Sequence, residues 1–468
     1  MMKRQPLVAL WIALSFSCVC HAELLSLEGY LDQIRLQNQN IQAAQKSQDA
    51  ARLQAKQADL MLGTSLFANG QALSDAKPSV FSSISGSKTE SVGTSIGASF
   101  LNEQGISSQL SYNLTYTNLV GASGVVDPSN FFESRIVFDV TKPLLRNANG
   151  TETLASQRLV SAQSDAQILT DAYRITLILA DAEMTYWRLA LAREAVDVQR
   201  KSLARSQRMV EWAQTRVNLS LADQSDLLLA RSGQQVRTLE LQAAVDEEEA
   251  ATRAFNSLRG SNDPIVSDTL SDLGGVSKIQ VTSPNVTRSD LQAAALQLQI
   301  SELNSTLGLQ RMTGTLNLFG TVALNSKDEN LGANFANTFS LANPTLLVGV
   351  RYNTATDARA VEAVRTGFKE AQNASRLAYE RKQFEVDWEW KDLLQKLSDA
   401  RKRLDIAQQI EYLQRDKWQY EMERHQRGRT TIFQVITFEQ DYANAQFARI
   451  RAQADILRIV AQLNTFRG

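Results

Sequence analysis

Reactive side chains are sparse in this sequence, and their positions limit the chemistry open to it. Both cysteines, Cys18 and Cys20, and one of the two histidines, His21, fall within the first 22 residues. Beyond them the chain has one histidine, His425, and no cysteine. That remainder has no disulfide, no thiol nucleophile and no Cys-based metal site. It also has no Gly-rich phosphate loop, no pair of His ligands and no nucleophile beside a base. The densest acidic run, Asp246-Glu247-Glu248-Glu249, reads as a solvated helix face, and His425 reads as a solvated residue at a helix end. The expectation is a protein that is not an enzyme and needs no cofactor or metal.

The elements must therefore carry the function. With 468 residues, 43% hydrophobic and 21% charged, the chain has room for two or three domains. A formal net charge of −1 leaves no electrostatic footprint for nucleic acid. Only 7 prolines accompany abundant Ala, Leu, Gln and Arg, a balance that favours long helices. Residues 1–22 resemble a signal peptide: Lys3 and Arg4, an apolar run from Leu7 to Phe16, then Cys20 and Ala22 at the −3 and −1 positions of a cleavage site. The mature chain would then begin at Glu23. A transmembrane anchor is the alternative, but the run falls short of the roughly 20 residues a bilayer requires. A lipid on Cys18 or Cys20 is another, but neither follows the Leu-small-small spacing. No later stretch approaches a membrane-spanning helix. If the exported chain enters a membrane, it does so as a closed β-barrel, because only that form satisfies the remaining backbone groups there.

Proline placement divides the chain. None occurs between Pro143 and Pro264, and none after Pro344. Each gap reads as continuous helix broken once, with long helices from Thr151 to Thr215 and from Asp357 to Gln426. At 1.5 Å per residue these would run roughly 97 and 105 Å, far beyond ordinary globular helices. An internal repeat accompanies them. Asn256-Ser257-Leu258-Arg259-Gly260 matches Asn464-Thr465-Phe466-Arg467-Gly468 at an offset of 208, and the same offset sets Arg216 on Arg424 and Ser220 on Gly428. Trp187-Arg188 resembles Trp390-Lys391 at an offset of 203, the weakest of the matches. In the last helix Val435, Phe438, Tyr442, Ala445, Arg449, Ala452, Ile456, Ile459 and Leu463 recur at alternating three and four spacing. That is a coiled-coil seam broken only by Arg449, or else one face of an ordinary bundle. The expected organisation is a signal peptide over 1–22, a first repeat over 23–260, a linker over 261–286 and a second repeat over 287–468.

Strands lie between the helices. From Gln109 to Thr117, Leu110, Tyr112, Leu114 and Tyr116 alternate with Ser111, Asn113 and Thr115. Ile136, Phe138 and Val140 alternate within Ser134 to Thr141. In the second copy so do Leu316, Leu318, Val322 and Leu324, then Leu346, Val348, Val350 and Tyr352. A membrane barrel needs this pattern over about 9–11 residues; a soluble sandwich could share it. The segments Asn118 to Asn130 and Ser326 to Pro344, rich in Gly, Asn and Ser, suit exposed loops. Four strands cannot close a barrel, so the chain must oligomerise. Leu62 to Ser107 is extra in the first copy; it holds strand-like runs such as Thr94 to Phe100 and is left open between longer barrel strands and a separate hairpin.

Together these segments resemble the TolC-type outer-membrane efflux proteins over nearly the whole mature chain. Leu24 to Asn40 resembles the family's opening helix, and Lys142-Pro143-Leu144-Leu145-Arg146-Asn147 its strand-to-helix corner. Arg288-Ser289-Asp290-Leu291 resembles the Arg-Pro-Asp-Leu that opens the second copy. Gly428-Arg429-Thr430-Thr431 with Val435 resembles the helical hairpin at the tunnel tip, and Ser220-Leu221-Ala222-Asp223 with Asp226-Leu227 its first-copy partner. The sequence departs from the family at Tyr352-Asn353-Thr354, which lacks Pro and Gly. It departs again at Ser220, which replaces the usual tip Gly and implies a tighter or differently kinked hairpin.

The resemblance implies a mostly α fold with membrane β: a homotrimer with a 12-stranded β-barrel, four strands per chain, and a long α-helical barrel. It implies an outer-membrane duct of a tripartite efflux or type I secretion system, docked on a periplasmic adaptor (membrane fusion) protein and an inner-membrane pump, in contact with outer-membrane lipid and with no nucleic acid. The alternative is an exported trimeric coiled-coil or adhesin-like structural protein. Where the family lines its tip with acidic residues, this chain has Gln434 and Thr437. The resemblance makes Asp223, Asp226, Gly428, Arg429, Thr430, Gln434 and Thr437 the candidate periplasmic gate, with Asp226 either latching to Arg429 or Thr430 or simply capping its own helix.

Overall fold

The computed structural model describes residues 24–466 apart from 77, 79–85, 123–128, 272, 274–280 and 282–286. The expected signal peptide lies outside the described residues. The chain divides into two compact units, and each contains parts of both sequence repeats.

The first unit holds the described residues up to Gln42, with Thr176–Ser283 and Asp392–Thr465. It opens with β1 (Leu24–Leu25), which pairs in parallel with β6 (Thr269–Leu270), and with α1 (Leu27–Gln37). Ser26 caps α1 by accepting from the Gly29 N–H at 3.1 Å. The fully buried rings of Tyr30 and Phe255 stack at 4.0 Å, and the Tyr30 hydroxyl donates to the Phe255 carbonyl at 3.0 Å. Most of the unit is helix: residues 176–218 of α4 (Thr151–Asn218), all of α5 (Gln224–Leu258), residues 392–426 of α8 (Ala358–Gln426), and α9 (Ile432–Asn464). The long helices end at Asn218 and Gln426, close to the ends expected from the sequence. Along α9, Val435, Ala445, Ala452, Ile456, Ile459 and Leu463 are buried. Arg449, the break in that seam, donates to Glu194 at 2.7 Å and Glu411 at 2.6 Å, so it ties α9 to α4 and α8.

The second unit holds Ala43–Ile175, Pro284–Lys391 and Phe466, with most of α2 (Gln39–Gln54), the short α3 (Gln57–Leu60) and α6 (Ser289–Arg311). Leu159, Ala162 and Ala166 of α4 pack on Leu296, Ile300 and Leu303 of α6. The strand-to-helix corner starts α4 by capping it. The Asn147 side-chain oxygen accepts from the Glu152 and Thr153 N–H groups at 2.9 and 3.1 Å, while Arg146 holds Glu152 through two bonds of 2.8 and 2.7 Å. At α8 Asp357 caps instead, accepting from Arg359 and Ala360 at 3.1 and 3.0 Å. The buried Arg288 that opens the second copy bonds Asp290 and Glu389 at 2.7 and 2.8 Å.

One antiparallel sheet dominates this unit, in the order β2-β3-β4-β5-β7-β8. Its strands are β2 (Gly63–Asp75), β3 (Lys88–Leu101), β4 (Ser107–Val120), β5 (Asn130–Pro143), β7 (Thr315–Asp328) and β8 (Pro344–Asn353). The four expected strands are β4, β5, β7 and β8. The count of four is corrected to six: the extra first-copy segment forms β2 and β3, paired along their full length in the same sheet. The loop expected between Ser326 and Pro344 contains a helix, α7 (Leu331–Thr338), capped by Asn330, which accepts from Gly332 and Ala333 at 2.8 and 3.3 Å.

Candidate functional site

Two regions hold the candidate surfaces and residues: the faces of the sheet in the second unit and the helical hairpins of the first.

In an antiparallel ladder, directly paired residues share a face. Ile96 pairs with Tyr112, Tyr112 with Ile136, Ile136 with Leu324, and Val322 with Leu346. One face therefore collects Leu66, Val92, Ile96, Phe100, Leu110, Phe138, Leu318, Val322, Leu346, Val348, Val350 and Tyr352, all exposed. The opposite face carries Asn69, Gln71, Ser95, Asn113, Arg135, Asp139 and Asn325. An exposed, contiguous apolar face across six strands of 10–14 residues, backed by a polar one, is the alternation of a membrane barrel wall. On the polar face Phe67 lies across its ladder partner Gly97, and Phe319 across Gly349. The same aromatic–glycine pairing thus recurs in β2–β3 and in β7–β8. Helix α7 docks on the apolar face: Asn334 donates to the Phe132 carbonyl at 2.8 Å, Thr338 bonds Ser134, and the Phe335 ring meets Tyr112 edge-on at 5.9 Å.

The two hairpins of the first unit repeat one another bond for bond at the offset of 208. The Ser220 N–H donates to Val217 at 3.0 Å, as Gly428 does to His425 at 2.9 Å; Leu221 donates to Arg216 and Arg429 to Arg424, each at 2.9 Å. The Arg216 guanidinium reaches the Leu221 carbonyl at 3.2 Å, and Arg424 reaches Arg429 at 3.3 Å. Ser220 (φ 55°) and Gly428 (φ 68°) hold the same left-handed turn. The expected difference between the hairpins is therefore corrected: the turn geometry is kept, and serine bears a conformational cost of about 1–2 kcal/mol that glycine avoids.

The candidate gate residues cluster at these turns. Asp223 is the N-cap position of α5, and Asp226 lies in its first turn. Thr431 caps α9, its hydroxyl accepting from the Gln434 N–H at 3.4 Å. The Thr430 hydroxyl donates to the Gln434 side chain, and the Thr437 hydroxyl to the Phe433 carbonyl at 2.9 Å. Among the described residues of one chain, no hydrogen bond or ion pair joins Asp226 to Arg429 or Thr430.

His425 is the correction here. It is 7% exposed, packed on Trp212 at 3.9 Å between ring centroids, with Nδ1 at 2.9 Å from the Thr430 carbonyl. Burial, with Arg216 nearby, lowers its pKa from the ordinary value of 6.5, against the opposing pull of the Thr430 carbonyl, Asp226 and Glu421. It opens on a cavity of about 320 Å³ lined also by Met209, Trp212, Trp418 and Met422. Just behind the tip, Glu439 (1% exposed) accepts from Ser202 at 2.7 Å and from Arg205 at 3.1 and 2.9 Å, while Arg237 (4% exposed) sits at 3.2 Å. Sequence reasoning missed this cluster, although a glutamate one residue from a coiled-coil seam position was a visible signal. Among the described residues, no helix is long and apolar enough to cross a membrane, and no group of three His, Cys, Asp or Glu is placed to hold a metal ion.

No protein-family model and no curated protein sequence matches the chain. Solved structures do. The Campylobacter jejuni CmeC outer membrane channel aligns over 94% of this chain and 85% of its own, with a TM-score of 0.68 at 12% identity. The outer membrane protein VceC from Vibrio cholerae aligns over 94% and 96%, with a TM-score of 0.69 at 13% identity. The open state of the Neisseria gonorrhoeae MtrE outer membrane channel aligns over 94% and 88%, with a TM-score of 0.62 at 16% identity. The fold is that of the outer-membrane channels with long helices joined to a β-sheet. At the level of fold the resemblance read from the TolC-type motifs holds over nearly the whole described chain.

Proposed function

We propose that the chain is the outer-membrane subunit of a tripartite efflux or type I secretion system. In this reading it is a passive homotrimeric duct of a Gram-negative bacterium that takes its cargo from an inner-membrane pump through a periplasmic adaptor protein. One observation carries the reading. A six-stranded sheet exposes a continuous apolar face and backs it with a polar one, a surface suited to lipid outside and water inside. The duplicated long helices are proposed as the periplasmic tunnel, and the paired hairpins around Asp223, Asp226, Gly428, Arg429, Thr430, Gln434 and Thr437 as its gate. Threefold symmetry would make each of these residues a ring of three, and charge in such a ring would set ion selectivity. The reading assigns no catalysis to the chain. The fold does not favour an adhesin-like coiled coil.

The test is the outer-membrane fraction. Heat-modifiable migration of the protein and single-channel conductance in a planar bilayer are expected together. Absence of both would overturn the reading.

A further inference from the structure

We infer that each chain contributes six strands to the barrel wall, and that β8 of one copy pairs with β2 of the next to close an 18-stranded barrel. The inference rests on the proposed trimeric outer-membrane channel and departs from the 12 strands that the family resemblance implies.

The pairing leaves no other arrangement of the hairpin. β4 is bonded to β5 from Ser107↔Thr141 to Asn118↔Asn130 and to β3 from Lys88↔Val120 to Leu101↔Ser107, so both its edges are occupied. β3 is in turn covered by β2 over all 13 residues of that strand. The free edges of the sheet are therefore β2 and β8. Four-strand closure would require β8 of the neighbour to reach β4, whose edge is taken.

The hairpin is built as wall. Leu66, Val92, Ile96 and Phe100 continue the apolar face, and Asn69, Gln71, Ser95 and Ser99 continue the polar one. The Phe67–Gly97 pair repeats the Phe319–Gly349 pair of β7–β8.

The edges are built for pairing. Protected edges carry Lys, Pro or bulges. β2 has no Lys, Arg or Pro, and β8 has proline only at its first residue. Leu346 is 76% exposed and Leu347, on the opposite face, 51%, which marks β8 as a strand lacking a neighbour. In a hydrocarbon layer an unpaired edge of this length is not tolerated. Direction completes the case. Alternation through an antiparallel sheet of six makes β8 antiparallel to β2, so copies placed side by side continue the same ladder. Six strands alone fall below the roughly eight of the smallest barrels, and three copies give an even 18. Because barrel diameter grows roughly linearly with strand number, the bore would be about 1.5 times that of a 12-stranded barrel, in the range that leaves an aqueous channel.

The test uses the chain's lack of cysteine beyond Cys20. Val348→Cys on β8 is combined in turn with Leu66→Cys, Ala68→Cys, Gly70→Cys or Ala72→Cys on β2, all on the same face, and in a second series with Tyr112→Cys or Leu114→Cys on β4. Oxidation of assembled protein in outer-membrane vesicles is expected to give covalent dimers and trimers with at least one β2 position and none with β4. Electron cryo-microscopy of the same trimers in nanodiscs should count 18 strands. Cross-linking to β4, no β2 cross-link in heat-modifiable trimers, or a count of 12 would overturn the inference while leaving the channel intact. A protein absent from the outer membrane would overturn the underlying functional reading instead.

Discussion

Glu439→Gln removes one buried charge from behind the hairpin turns of the first unit while keeping its shape and an acceptor oxygen. The carboxylate is 1% exposed and takes one hydroxyl and two guanidinium groups, from Ser202 and Arg205 on α4 and from Arg237 on α5. Breaking a buried pair from one side costs about 3–5 kcal/mol, because the partner charge stays buried and uncompensated. The lower end applies here. Arg237 keeps Glu240 at 2.5 Å, and Arg205 keeps the faces of Trp418 and Tyr442 at 5.4 and 5.3 Å. At about 2–4 °C per kcal/mol for a unit of this size, a loss of about 3 kcal/mol lowers the melting temperature by roughly 6–12 °C. Thermal melting of purified protein, followed by far-UV circular dichroism, reads it. Replacing the group as a whole, with Glu439→Met, Arg205→Leu and Arg237→Leu, should recover much of the loss, since well-packed apolar side chains substitute for buried ion groups at little cost. A Glu439→Gln protein that melts within about 1 °C of the parent would show that the cluster is not the clamp described.

The remaining expectations concern the wall and the tip. Ile96→Arg, on the apolar face, should cost about 2–4 kcal/mol near the bilayer midplane and reduce assembled protein in the outer membrane, whereas Ser95→Arg should be tolerated; equal yields would remove this strand from the lipid. His425 has a lowered pKa in the folded state, so the unfolded chain binds its proton first: stability is full above about pH 6.5 and falls as pH drops below it. His425→Gln should remove that part of the acid sensitivity, read as melting temperature against pH from 7.5 to 5, and an unchanged profile would exclude the residue. Asp226→Ala with Arg429→Ala should raise bilayer conductance and vancomycin uptake if the pair latches neighbouring copies, and wild-type conductance would place the constriction elsewhere. Gln434→Asp should raise cation selectivity and block by divalent ions, measured as reversal potential in asymmetric salt; an unshifted potential would take Gln434 off the pore lining.

Much of the architecture was legible because its signals are local. Absence of proline marks α4 and α8, and the duplicated turn around Ser220 and Gly428 marks where they end. Clean alternation of Leu and Tyr with Ser and Asn marks β4. The hairpin β2–β3 was harder, since Ala, Gly and Ser fill many positions on both its faces and blur the period of two. Helix α7 was missed because Leu331-Gly332-Ala333-Asn334 has the composition of a loop; its helix is secured by Asn330 and by docking on Phe132 and Ser134, contacts about 200 residues away in sequence. His425 and Glu439 show the same limit. The partners that bury them, Trp212 for one and Ser202, Arg205 and Arg237 for the other, lie on other helices, and no local pattern reports them.

The duplication also frames how the two hairpins differ. The offset that aligns their turns sets Asp223 on Thr431 and Asp226 on Gln434. Both first positions start a helix, and there a short side chain with an oxygen suits either copy. The second positions keep the place and change the charge: a carboxylate in one hairpin, an amide in the other. The turn is shared through the same three hydrogen bonds, so the difference between the copies lies in side-chain chemistry rather than in turn geometry. In a symmetric ring of such hairpins the equivalent positions would alternate acid and amide, giving half the negative charge of a ring with a carboxylate at every position. In the proposed gate, the exchange of acid for amide between Asp226 and Gln434 would change the charge of the ring while the turn geometry stays the same.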